Sequence, residues 1–82
     1  MNNTKKRMVG LTDYEIKQTV LIGNKEIIFA EDTQADDGMQ YFVGNYSENY
    51  PFGYYEECMT SDDFLEIMQE FINRANRFLA CC

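Results

Sequence analysis

Four acidic pairs, Glu31-Asp32, Asp36-Asp37, Glu56-Glu57 and Asp62-Asp63, are the residues of this chain whose type and spacing could do chemistry. Two carboxylates in one site can act as general acid and base, or as oxygen ligands for a hard cation. Neither use fits the spacing. Adjacent strand residues point to opposite faces, so Glu56 and Glu57 are not expected to share a site. The run from Glu31 to Gly38 looks like a calcium loop, but that loop needs glycine at position six and glutamate at position twelve. Counted from Asp32, those places hold Asp37 and Val43. The chain has no histidine to activate a serine or cysteine, and it has no glycine-rich phosphate loop. Neither catalysis nor a metal or other cofactor is expected.

What remains for the acids is their sign. The 82 residues carry 14 Asp and Glu against 7 Lys and Arg, a formal charge of -7. Three of the cations, Lys5, Lys6 and Arg7, sit together near the N-terminus, and Arg74 and Arg77 sit near the other end. Between them only Lys17 and Lys25 oppose the carboxylates. A surface of one sign selects partners of the other. Direct nucleic-acid binding is disfavoured, because Lys and Arg on phosphates supply most of that affinity. The plain alternative is a solvated face that keeps a small domain in solution.

Tyrosine offers a second kind of contact. Tyr46, Tyr50 and Tyr54 surround a turn-rich segment with the only proline, Pro51, and Tyr is enriched at interface hot spots. The same residues also suit a sheet, where the ring packs and the hydroxyl stays wet. Three cysteines, two of them the terminal Cys81-Cys82, make neither a secreted disulfide framework nor a zinc site. Cys58 is expected as a half-buried strand residue. No apolar run approaches a membrane span, and no signal-peptide core follows the basic cluster. These features together predict a cytoplasmic protein.

The elements that must position these residues are legible in the pattern. Residues 1–12 read as a flexible basic arm, and residues 13–82 as a single α+β domain. Ile16, Val20 and Ile22 form one apolar row, Gly23-Asn24 supplies a two-residue turn, and Ile27 and Phe29 continue that row on a second strand. The turn predicts that Ile22 faces Lys25, Val20 faces Ile27 and Gln18 faces Phe29, which collects one core face. Glu31 to Gly38 is an acidic loop. Met39 to Tyr46 is a third strand, with Tyr41 and Val43 on one face and Phe42 on the other. Tyr54 to Met59 is a fourth.

From Phe64 the period changes from 2 to 3.6, with Phe64, Leu65, Ile67, Met68, Phe71, Ile72, Ala75, Phe78 and Leu79 forming a wide apolar stripe. Thr60 or Ser61 is the expected N-cap, Asp62 and Asp63 complement the first turn, and Glu70 and Arg74 form an i,i+4 pair. The prediction is ββββα: an antiparallel four-stranded meander with one long C-terminal amphipathic helix packed on one face.

The segments Gly23-Asn-Lys-Glu-Ile-Ile-Phe-Ala-Glu31, Tyr41-Phe-Val43 and Ser61-Asp-Asp-Phe-Leu-Glu-Ile-Met-Gln-Glu-Phe71 resemble small domains encoded by phages and integrative elements of gut bacteria, of the anti-CRISPR or antirestriction type. The resemblance spans Gly23 to Arg74 and carries over no functional residue. It implies a mobile-element context and a reason to disarm host nucleases. The expected function is therefore a non-catalytic acidic inhibitor in a bacterial host cell. It would bind a basic nucleic-acid groove, for example that of a CRISPR effector nuclease, as a nucleic-acid mimic. Its expected contacts are Glu31, Asp32, Asp36, Asp37, Glu56, Glu57, Asp62 and Asp63, with Tyr46, Tyr50 and Tyr54 as anchors. The competing expectation is a protein-interaction or regulatory module, such as a homodimer through an open sheet edge.

Overall fold

A computed structural model describes residues 7–47 and 54–80. Strands β1 (Glu15–Ile22), β2 (Lys25–Glu31), β3 (Tyr41–Ser47) and β4 (Tyr54–Ser61) form one antiparallel sheet in the order β1-β2-β3-β4, and helix α1 (Phe64–Ala80) follows. The expected ββββα meander is the observed fold.

The first hairpin forms as its turn dictates. Gly23 takes a φ of 62° and Asn24 stays out of the positive region, the pattern of a type II′ turn that matches strand twist. Ile22 pairs with Lys25, Val20 with Ile27 and Gln18 with Phe29, in the register the turn predicts. Beyond Gln18 the register slips: Ile16 pairs with Ala30, leaving Lys17 as a bulged residue. A one-residue slip transfers a side chain to the other face. Ile16 accordingly leaves the expected core row and packs with Ile28, Ala30 and Phe42 instead.

The sheet therefore has two apolar faces, not one. On the helix side, Ile22, Ile27, Phe29 and Val43 bury against Ile67 and Phe71. On the opposite side, Val9 and Tyr14 cover Ile28, Ala30 and Phe42. This explains why Ile27, Ile28, Phe29 and Ala30 are buried consecutively in β2, a central strand covered on both faces. The cover is made by the segment expected to be loose. Val9 is buried and its N–H donates to the Tyr14 carbonyl, the Arg7 carbonyl accepts from Ile16 N–H, and the Tyr14 hydroxyl donates to the Met39 carbonyl. The basic arm is thus folded from Arg7 onward, because without this lid the row Ile28-Ala30-Phe42 would face water.

The helix begins later than its expected caps. Asp63 is the N-cap: its Oδ1 accepts from the N–H groups of Leu65 and Glu66 at 3.0 and 3.2 Å. Ser61, one of the two residues expected to cap, instead accepts from Asp63 N–H and donates to Glu66 Oε1 at 2.6 Å. The buried line of the helix runs Ile67, Phe71 and Arg74, with Phe78 partly buried, and is narrower than the apolar stripe in the sequence. Leu65, Ile72 and Leu79 remain largely exposed.

Candidate acidic recognition surface

Strand direction decides where the charges go. β1 starts, β2 ends, β3 starts, β4 ends and α1 starts at the same end of the sheet. That end collects Asp13, Glu15, Glu31, Asp32, Asp36, Asp37, Asp62, Asp63 and Glu66. Lys17, paired with Glu15 at 3.1 Å, is the one cation there among the described residues. The other eight carboxylates meet no cation among those residues.

Five of them, Glu31, Asp32, Asp62, Asp63 and Glu66, are held by neutral donors instead. Asp62 accepts from the backbone N–H groups of Gly38 and Gln40 at 2.6 and 3.2 Å, which ties the β2–β3 loop to the β4–α1 junction. Those two amides hold the Asp62 carboxyl below its ordinary pKa. Asp32 closes a turn by accepting from Gln34 N–H at 2.9 Å. The Gln40 side-chain amide donates to Glu31 at 2.9 Å. Asp36 and Asp37 stand exposed at the loop tip. A groove of about 290 Å³ opens at this end, lined by Met8, Asp13, Glu15, Lys17, Glu31, Asp32, Thr33 and Gln34. Amide and hydroxyl donors satisfy a carboxylate without cancelling its charge, so this end stays strongly negative.

Six of the eight expected contact acids, Glu31, Asp32, Asp36, Asp37, Asp62 and Asp63, are brought together here. Glu56 and Glu57 are not. They lie at the opposite end, where Lys25 Nζ meets Glu56 at 3.0 Å and Arg77 meets Glu57 at 2.9 Å. The alternation rule fails for this pair, because a second bulge falls between Asn45↔Glu56 and Val43↔Met59. Glu57 sits in that bulge with a φ of 53°, and both carboxylates consequently reach cations on the helix side of the sheet.

The same end holds two further ion pairs. Arg7 forks onto Glu26 at 2.6 and 2.7 Å. Buried Arg74 donates through Nε to Glu70 at 2.8 Å and through Nη1 to Asn45 Oδ1 at 3.1 Å. Arginine only donates, so the Asn45 amide oxygen must face it, which leaves the buried Asn45 Nδ2 without a partner. The i,i+4 pair is where the sequence puts it, but Arg74 lies on the core line of α1 rather than its wet face.

The tyrosines divide. Tyr46 packs its half-buried ring 4.9 Å from Tyr55 and under the Arg7 guanidinium, on the face away from the helix. Tyr50 and the side chain of Tyr54 lie outside the described residues. Cys58 is exposed rather than half-buried. Its thiol pKa is pushed up by partial desolvation, an effect that Arg74 opposes.

Asp13, Glu15 and Glu66 join the acidic end unannounced by their local sequence. Their signal lies in the meander itself, which brings every second strand terminus to one end. Among the described residues no group of three or more His, Cys, Asp or Glu is disposed to hold a metal ion. None of the described helices is long and apolar enough to cross a membrane. No family model, curated protein or solved structure matches the chain.

Proposed function

We propose that this protein is a non-catalytic acidic inhibitor. It presents its β2–β3 end to a basic nucleic-acid-binding groove of a host defence nuclease, such as a CRISPR effector, in the bacterial cytoplasm. The observation that carries the reading is the segregation of charge. Among the described residues, eight carboxylates without a cation partner gather at one end, five of them fixed by backbone and side-chain donors, while the opposite end neutralises its own acids. A rigid anionic surface of this kind competes with nucleic acid for a groove lined by Lys and Arg, and steers its own approach.

The proposed contacts are Asp13, Glu31, Asp32, Asp36, Asp37 and Glu66. Asp62 and Asp63 set the shape of the surface. Glu56, Glu57 and Tyr46 are not among the contacts, because each already has an internal partner.

The test is binding to a guide-loaded CRISPR effector nuclease at two salt concentrations, with target DNA as competitor. The expected result is an affinity that falls at least about tenfold between 50 and 500 mM salt, is lost in competition with DNA, and is abolished by Asp36→Lys with Asp37→Lys. Binding indifferent to both salt and charge reversal would refute the reading. A second reading, an interaction module with no nucleic-acid-handling target, is favoured by one feature: the uncovered apolar stripe of α1.

A further inference from the structure

Helix α1 exposes Leu65, Ile72 and Leu79 at relative accessibilities of 74%, 46% and 60%. They recur every seven residues, and the half-buried Met68 and Ala75 fall between them, giving an i, i+3, i+7, i+10, i+14 row. At about 100° per residue these five side chains span only about 80° of the helix. The row is about 21 Å long and has the period of a coiled-coil seam.

Charge is absent from it. Glu66, Glu70, Arg74 and Arg77, the only charged residues of the helix, fall in a separate sector of about 80°. Exposed Gln69 and Asn76, which border the row, are neutral. In a chain of charge -7 this strip is where a second copy can approach without setting carboxylate against carboxylate.

We infer that two copies of this protein pair through α1 as an antiparallel, two-fold symmetric dimer. Self-matching about Ile72 sets Ile72 on Ile72, Leu65 on Leu79, and the longer Met68 on the small Ala75 of the other copy. Charge fixes the direction. A parallel pair would place two acidic ends side by side, whereas the antiparallel pair sets each beside the partner's charge-balanced end and opposes the helix dipoles.

Edge pairing is the poorer route. β1 carries its bulge at Lys17, with Arg7 already hydrogen-bonded to Ile16, and β4 carries its bulge at Glu57. Bulges and edge lysines block strand addition. A single helical strip is small beside a standard interface of about 800 Å² per partner, so a weak dimer is expected.

The inference does not depend on the proposed inhibitor function, and salt separates the two. Screening should tighten the dimer, where two acidic chains meet, and loosen binding to a basic groove. The experiment is analytical ultracentrifugation of the full chain from about 5 μM to 1 mM, compared with Ile72→Glu, with circular dichroism to confirm that the variant folds. The expected result is a mass rising from 9.6 kDa toward twice that value, tightening with salt, and a dissociation constant raised at least about tenfold by Ile72→Glu.

Orientation is read by disulfide capture in a background with Cys58, Cys81 and Cys82 changed to Ser. Leu65→Cys chains mixed with Leu79→Cys chains should cross-link, and Leu65→Cys alone should not. A monomer at 1 mM, a dimer indifferent to Ile72→Glu, or a Leu65→Cys homodimer would each overturn the inference. So would a variant that stays folded and loses only the binding of a different macromolecule.

Discussion

The two ends of this sheet solve the same problem, how to place carboxylates in a small fold, in opposite ways. At the end formed by Lys25, Glu26, Glu56, Glu57 and Glu70, each acid meets a cation: Arg7, Lys25, Arg74 or Arg77. At the end formed by the β2–β3 loop and the start of α1, Asp62, Asp63 and Glu66 meet amide and hydroxyl donors from Gly38, Gln40, Ser61, Leu65 and Glu66. Both arrangements give these oxygen atoms hydrogen-bond donors. Only the first cancels the charge. An overall charge of -7 thus conceals one nearly neutral end and one intensely anionic end. The second is the surface that the proposed function presents to a basic partner.

The largest effect is expected at Arg74. Replacing it with Ala strips the donor from Glu70 and from buried Asn45, and should cost about 2–4 kcal/mol of unfolding free energy in a urea titration. A loss under about 0.5 kcal/mol would mean that the paired end is not held by its pairs. Lys25→Glu sets like charges together at a half-exposed position, and a loss of about 1 kcal/mol is expected.

Next comes salt. If the anionic end dominates the electrostatics, raising NaCl from about 20 to 500 mM should raise the melting temperature by relieving self-repulsion. A fall would show that the four ion pairs outweigh it.

Asp62→Asn should lower the melting temperature by a few degrees at pH 7, since the Gly38 and Gln40 amides lose their anionic acceptor. Asp62 has a lowered pKa in the folded state, so its contribution is complete above the ordinary carboxylate range. It is lost as the pH falls through the lowered value, and the gap to Asp62→Asn should therefore close below about pH 4. A gap independent of pH would place the effect elsewhere. The smallest effect is the sharpest contrast with Arg74. Asp36→Lys with Asp37→Lys should leave stability within about 0.5 kcal/mol of the parent, because neither side chain holds the fold.

Much of this architecture is local and therefore readable along the chain. Gly23-Asn24 imposes the hairpin and its register through Gln18, because a tight turn leaves the flanking residues no choice of partner. The change of period at Phe64 marks the helix. Legibility stops where one residue is inserted or a distant segment intervenes. Lys17 and Glu57 look like ordinary strand residues, yet their bulges move Ile16 to the second face and let Glu56 and Glu57 reach the same side. Val9 gives no sign that it will be a lid. The consecutive Ile27-Ile28-Phe29-Ala30 is the clue that β2 is covered twice, since a strand with one wet face would alternate. Arg74 reads as a wet helical cation until its i+7 relation to Ile67 is followed.

The acids follow the same division. Their number, their excess over Lys and Arg and the absence of histidine come from the sequence alone. The expectation of a basic partner rests on these alone. Which acids remain unneutralised is a property of tertiary structure. Lys25 and Arg77 reach Glu56 and Glu57 only because antiparallel strands and the returning helix bring those cations to one end, whereas the Glu70–Arg74 pair is local to the helix. Asp13, Glu15 and Glu66 meet the β2–β3 loop at the other end for the same reason. Charge is counted along a chain, but Coulomb interaction depends on distance, and only the fold sets the distances.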